Sequence, residues 1–227
     1  GALLGWFSVT PPPTVEDSSG ITVPIPRTDY FRATHVLIRD SSGSESGASG
    51  TQSPVSLSQA AYLVNTGQVP VRVAEQLGLN VDDVEASLLG LPREQVSSIE
   101  VQAVGKDSTE VVAMADAAAA ELLVLLKDQA DTEAAANRDQ VVARLDDLDR
   151  QISELNAQIA TLPPNLTQLE AQQRSLSNQY SLVFEQFTAL ANSPEPGAGL
   201  VSLEGAKPEE ISEATYDQTR RTIREGA

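Results

Sequence analysis

Two runs of residues, spaced alternately three and four apart, constrain this chain more than anything else in it. The first is Val141, Leu145, Leu148, Ile152, Leu155, Ile159 and Leu162; the second is Leu166, Leu169, Gln173, Leu176, Tyr180, Val183, Phe187 and Leu190. A mean spacing of 3.5 keeps a narrow apolar stripe on one side of a helix, the a/d seam by which two helices pack. Pro163 and Pro164 stand between the runs. Proline has a fixed φ and no N–H, so the first helix ends there, and Asn165 stands where a cap for the second is wanted. Matched seams joined by a two-proline turn predict an antiparallel coiled-coil hairpin with its tip at 163–164. Asn165-Leu-Thr also fits an N-glycosylation acceptor; the cap is the preferred reading.

No proline or glycine interrupts residues 108–162, which as one helix would span about 80 Å at ~1.5 Å per residue. Its first part carries a wide apolar face (Val111, Val112, Ala115, Ala119, Leu122, Leu123, Leu126) that should pack on the elements before it. Composition agrees: 41% of residues are hydrophobic but only 4% aromatic, a profile suited to long helices with small side chains.

Upstream, residues 8–29 are rich in Pro, Ser and Thr and read as extended and loop-like. YFRATHVLIRD (30–40) reads as a strand, with Ala33, His35, Leu37 and Arg39 on one side and Phe31, Thr34, Val36 and Ile38 on the other. The Ser/Gly run 41–54 reads as a flexible loop. Two short helices follow, over 56–66 and around VPVRVAEQLGL with Gly78 as its stop, then a third capped near Asn80. Runs 86–91 and 97–104 read as a strand pair joined around Pro92. After Asn192, LVSLEGAKP (200–208) reads as a short return strand, and 209–227 as a polar tail. The predicted fold class is α+β: a small mixed α/β base carrying a long protruding antiparallel coiled-coil hairpin. Its parts are 1–29, a Pro-rich entry; 30–107, the base; 108–192, the long helix and hairpin; 193–212, the return strand; and 213–227, the tail.

The chemistry is thin. A single histidine, His35, lies inside a strand and reads as a structural or surface residue and not as a ligand or base. Absence of cysteine excludes disulfides and thiolate metal sites. There is no phosphate-binding Gly-rich loop, no dinucleotide fingerprint and no Gly-x-Ser-x-Gly turn. Carboxylates such as Asp146, Asp147, Asp149 and Glu154 fall at outer heptad positions, where solvated charge is the default. No catalytic residue, cofactor or metal is expected. A net charge of −17 disfavours broad electrostatic attraction to nucleic acid or to anionic lipid. Arg220, Arg221 and Arg224 read either as a phosphate or headgroup contact or, more plainly, as the positive end of a solvated tail.

The order of elements resembles the extracytoplasmic domain of Wzz-type polysaccharide co-polymerases, the chain-length determinants, in the form common in Gram-positive actinobacteria. TDYFRATHVLIRD is similar to the family's first strand after its first membrane helix. VPVRVAEQLGLNVDDVEASLLGL is similar to its Val-Ala-x-x-Leu-Gly-Leu helix and following strand. SSIEVQAVGKDSTEVVAMADAAAAELL resembles its strand, turn and Ala-rich helix, although Ala117–Ala120 stand where the family usually has an asparagine. LVSLEGAKPEEIS is similar to its exit toward a second membrane helix.

That resemblance implies a membrane-proximal base, a homo-oligomeric ring and a non-enzymatic role in setting polysaccharide chain length at the cell membrane. Implied partners are the polysaccharide polymerase and its lipid-linked glycan. Relatives carry or pair with a cytoplasmic tyrosine kinase, which nothing in this chain resembles. Oligomer contacts are expected on the Ala-rich face (Ala115, Ala118, Ala119, Leu122), where small side chains permit close helix approach. The opening GALLGWF, with Trp6, reads as the outer end of a membrane helix stopped at Pro11–Pro13, or as a core strand. Both chain ends are then expected at one pole and Pro163-Pro164 at the other. The alternative function is a membrane-fusion-type secretion adaptor, and a third is a scaffold or chaperone with helical tentacles. The adaptor should show half-motifs of a β domain on both flanks of its helices, which this sequence lacks.

Overall fold

The computed structural model describes residues 14–16, 22–24, 29–40, 56–161 and 164–225. The readings made for Trp6 and the opening segment, for the Ser/Gly loop 41–54, and for Leu162 and Pro163 fall outside these residues, as does the placing of the two chain ends. Within the stretch read as loop, β1 (Thr14–Glu16) pairs antiparallel with β2 (Thr22–Pro24).

Four strands make the main antiparallel sheet: β3 (Tyr30–Arg39), β4 (Leu88–Arg93), β5 (Ser98–Gly105) and β6 (Leu200–Ile211), in the order β4-β5-β3-β6. Both prolines within it, Pro92 and Pro208, lie in the edge strands β4 and β6, where a missing N–H is tolerated. β6 runs three residues past the expected 208 and is largely exposed. Its Glu204, Lys207, Glu209 and Glu210 make a charged border that discourages further strand pairing.

On one face the period-two pattern presents Ala33, Leu37, Leu88, Ile99, Val101 and Ala103 to the main core. Phe31 packs against the same core, so it sits on the side of Ala33 and not, as the sequence reading had it, on that of Val36. Helices α1 (Leu57–Thr66), α2 (Gln68–Leu77) and α3 (Val81–Glu85) cover this face together with the start of α4 (Ser108–Ile159). Local signals set their ends. Ser56 Oγ accepts from Gln59 N–H, Asn80 Oδ1 accepts from Asp82 N–H, and Gly78 takes the left-handed conformation (φ 68°) that stops α2. α1 lies so close to β4 that a Cβ on Gly90 would meet Ala61 at 3.0 Å. The fully buried Leu37, Leu57, Leu88, Ile99 and Leu122 each contribute about 1.5–3 kcal/mol.

The sheet's other face carries a smaller cluster of Leu89, Val104 and Ile223, with Leu91, Ile211 and Tyr216 packed against it. Ile223 and Tyr216 come from α6 (Glu213–Glu225), so the segment read as a polar tail is a helix seated on the sheet.

The fold class needs correction. The chain is a mixed α/β structure with a four-stranded antiparallel sheet and, among the described residues, six α-helices. It is not a small base with a separate coiled-coil hairpin mounted on it. Residues 108–159 form a single helix of 52 residues, about 78 Å long at ~1.5 Å per residue, and its first half belongs to the sheet's core. The helix α5 (Leu166–Ala191) is half that length, with 26 residues. Of the seams, Val141, Leu148, Leu169 and Val183 are buried, while Leu145, Ile152, Leu155, Ile159, Leu176, Tyr180 and Phe187 stay partly exposed. Heptad spacing is local information; how far a seam is covered depends on the helix laid against it. Asn165 is also not the expected side-chain cap: its side chain makes no capping bond, and its backbone carbonyl accepts from Gln168 and Leu169 instead.

One consequence of the topology matters for function. Tyr30 at the start of β3 pairs with Ile211 at the end of β6, so the chain enters and leaves the sheet side by side. Arg39 pairs with Leu200 at the opposite end, where the chain returns from α5. α4 starts beside Gly105, which pairs with Phe31, and runs out past the other end of the sheet. No described helix is long and apolar enough to cross a membrane.

Candidate functional site

Two places concentrate polar chemistry. The first is built around His35, which β3 turns toward α4 and buries to 8% exposure. Its Nδ1 lies 2.6 Å from Asp116 Oδ1, and its Nε2 lies 2.8 Å from Ser202 Oγ. A carboxylate only accepts, so Nδ1 carries the hydrogen it donates to Asp116, and Nε2 faces the serine hydroxyl. The same Asp116 oxygen accepts from the Ala206 N–H at 2.8 Å. Ser202 and Ala206 sit where the β3–β6 register slips, between Thr34 and Val36 and again between Val36 and Leu37.

Serine, histidine and carboxylate in this order have the spacing of a nucleophilic relay. A working nucleophile also needs N–H donors aimed at the developing oxyanion, and it usually projects from a sharp turn. Ser202 lies inside an extended strand, and the nearby amide that the irregular register frees, that of Ala206, is already bound to Asp116. The arrangement fastens α4, β3 and edge strand β6 to one another. Sequence reasoning read His35 as a structural or surface residue and missed both partners. The available signal was Asp116, the lone carboxylate in the run Met114-Ala-Asp-Ala-Ala-Ala-Ala on the sheet-facing part of a helix.

The second place is the end of the sheet where the chain enters and leaves. Tyr30 and Tyr216 stack with ring centroids 4.3 Å apart, and Lys106 Nζ lies 5.9 Å from the centre of the Tyr30 ring. Desolvation, then the carboxylates of Glu213 and Asp217, holds the Tyr30 hydroxyl above its usual pKa. Arg220 lies across the Tyr216 ring at 5.7 Å, and its Nη1 donates to the Tyr216 hydroxyl at 3.3 Å. Asp217, Arg220, Arg221 and Arg224 line a shallow cavity of about 260 Å³. At about 100° per residue, all four fall within roughly a 100° arc of α6. The arginines read as tail residues are therefore ordered along one helical stripe.

The other sequence-predicted residues are placed as follows. Ala115, Ala118, Ala119 and Leu122 are all buried at 1% exposure or less in the chain's own core. Their small side chains admit the sheet and its covering helices, so this face has nothing left to present to a second copy. Val141, Leu145, Leu148, Leu176, Tyr180, Val183, Phe187 and Leu190 gather into one cluster between α4 and α5. Farther out, Gln173, the polar seam position, donates to Asn156 Oδ1 at 2.8 Å. Pro164 lies in the turn before α5. No group of three histidine or carboxylate side chains close enough to hold a metal occurs among the described residues.

No protein-family model matches this chain. No curated protein matches it either.

Proposed function

We propose that this chain is the extracytoplasmic domain of a non-enzymatic regulator of polysaccharide chain length, held at the cell membrane and working as an oligomer beside the polymerase and its lipid-linked glycan. One observation carries the reading. The strands that begin and end the sheet lie side by side, Tyr30 opposite Ile211, and the long helix leaves by the other end. A domain tethered at both flanks needs that arrangement, because entry and exit must meet one surface while the rest of the chain faces away. The order of elements and the motifs quoted above support the family within that class. The alanine face being internal, self-association in this reading uses other surfaces of the sheet and helices.

The test is genetic. Removing the gene should change the modal length of the surface polysaccharide on a gel without abolishing its synthesis, and the intact gene should restore it. An unchanged length distribution would sink the proposal.

A further inference from the structure

Among the described residues of this acidic protein, Arg32, Arg72, Arg93, Lys127, Arg150, Arg174 and Lys207 each have a carboxylate within ion-pair distance. Lys106, Arg138 and Arg144 have none among the described residues, and neither do Arg220, Arg221 and Arg224, although 32 acidic residues compete for 15 basic ones over the whole chain. The last three stand together, on one stripe of α6 and around one cavity, with Asp217 as the only carboxylate among the described residues that line it. Three guanidinium groups held against a single carboxylate repel one another until an anion joins them. Arginines in a final helical turn also offset the helix dipole, but that role requires neither a shared cavity nor a fixed side chain. Arg220 is fixed, lying on Tyr216, which itself stacks on Tyr30. Its Nε is buried with no hydrogen-bond partner among the described residues, and a buried unpaired donor calls for a missing acceptor.

We propose that Arg220, Arg221 and Arg224 form a binding site for a phosphate or diphosphate group at the end of the sheet where the chain enters and leaves. Planar guanidinium forks match phosphate oxygens in pairs, and a cavity of about 260 Å³ admits one such group. The protein's overall charge of −17 opposes any long-range attraction of anions, so affinity arises at contact distance and falls with added salt. Two sources would present this chemistry: a soluble phosphate compound, or the headgroup of an anionic lipid. The site follows from the arginines and stands apart from the chain-length reading, since polysaccharide length and phosphate binding can fail separately.

Arg221 and Arg224 are exposed, so the double variant R221Q/R224Q leaves the helix seated through Ile223 and Tyr216. Calorimetric titration of the whole chain with inorganic pyrophosphate is one arm. Co-sedimentation with phosphatidylcholine vesicles, with and without phosphatidylglycerol, is the other. Saturable pyrophosphate binding, weakened at least tenfold in R221Q/R224Q, supports the site and a soluble source. Binding only to the phosphatidylglycerol vesicles, lost in the same variant, supports the site and a headgroup source. Absence of binding in both arms, or equal binding by wild type and variant, overturns the proposal.

Discussion

His35 is bonded at both ring nitrogens, and its partners come from elements far away in sequence, Asp116 on α4 and Ser202 on β6. Removing the ring loses both bonds of a buried side chain while Ser202 and the half-exposed Asp116 turn to water, and two hydrogen bonds at a net of about 0.5–1.5 kcal/mol each amount to about 1–3 kcal/mol. H35A should therefore lower unfolding free energy by about that much in urea titrations. S202A, which loses one bond at an exposed position, should cost about 0.5–1.5 kcal/mol. A wild-type midpoint for H35A would show that the clamp contributes nothing. The same residues separate clamp from relay: a fluorophosphonate probe should leave Ser202 unlabelled, and labelling that His35 substitution abolishes would reassign the group as a nucleophile. On the opposite side of the sheet, Glu100 accepts two bonds from Arg93, both at 2.9 Å. Those bonds hold its carboxyl below the usual carboxylate range against the opposing effect of partial burial. A carboxyl depressed in the folded state stabilises above its unfolded pKa of about 4.3, and that contribution fades as pH falls through the folded value. The stability gap between wild type and E100Q should accordingly be open at neutral pH and close on acidification below about pH 4. A gap that persists unchanged at pH 3 would contradict the assignment.

Among elements, α4 shows most clearly what a sequence does and does not reveal. Its start is legible: Asp107 accepts from the N–H groups of Thr109 and Glu110, and Val111, Met114, Ala115, Ala118, Leu122 and Leu126 repeat at helical spacing. Whether its alanines meet the chain's own sheet or a neighbouring molecule is not legible, because a small residue permits close approach to either. The prediction differs sharply between two positions two residues apart. Ala118 is fully buried and Ala120 is exposed, so A118L should cost about 1–3 kcal/mol by overpacking while A120L stays near zero. Equal effects in thermal melts would mean that the alanine face does not pack inward as described. β6 escaped detection beyond Pro208 because edge strands carry charge to avoid mispairing, which erases the apolar alternation that marks a strand. α6 was hidden for a related reason: Ile223 is its single buried residue, and the arginines around it read as a tail. The seams of α4 and α5 were legible as helices, but periodicity says nothing about how deeply a partner covers them, and here the cover is shallow.

At the scale of the molecule, two apolar clusters are strung on one helix. The sheet's core uses α4 as far as Leu126, and the next cluster begins at Val141 and is closed, among the described residues, by those of α5. Lys127, Asp131 and their neighbours between the clusters are largely solvated, and their i,i+4 ion pair, screened by water, contributes little. Cooperativity should therefore be weak across this stretch, with the outer part of α4 and α5 opening without the sheet. Hydrogen exchange should show it, as faster exchange of amides beyond residue 141 than of those in β3 and β5. A deletion makes the sharper test. Val141 and Val183 belong to the same cluster, so replacing residues 142–182 with a short Gly/Ser turn joins two positions that already lie together. The shortened chain should lose helical signal in proportion, still melt cooperatively, and keep the phosphate binding placed at the far end of the sheet. In the native host it should shift polysaccharide length while the protein remains at wild-type abundance. A shortened chain that fails to fold would make the outer helices part of the fold's foundation. One that folds and leaves length unchanged would separate that extension from the regulation proposed here.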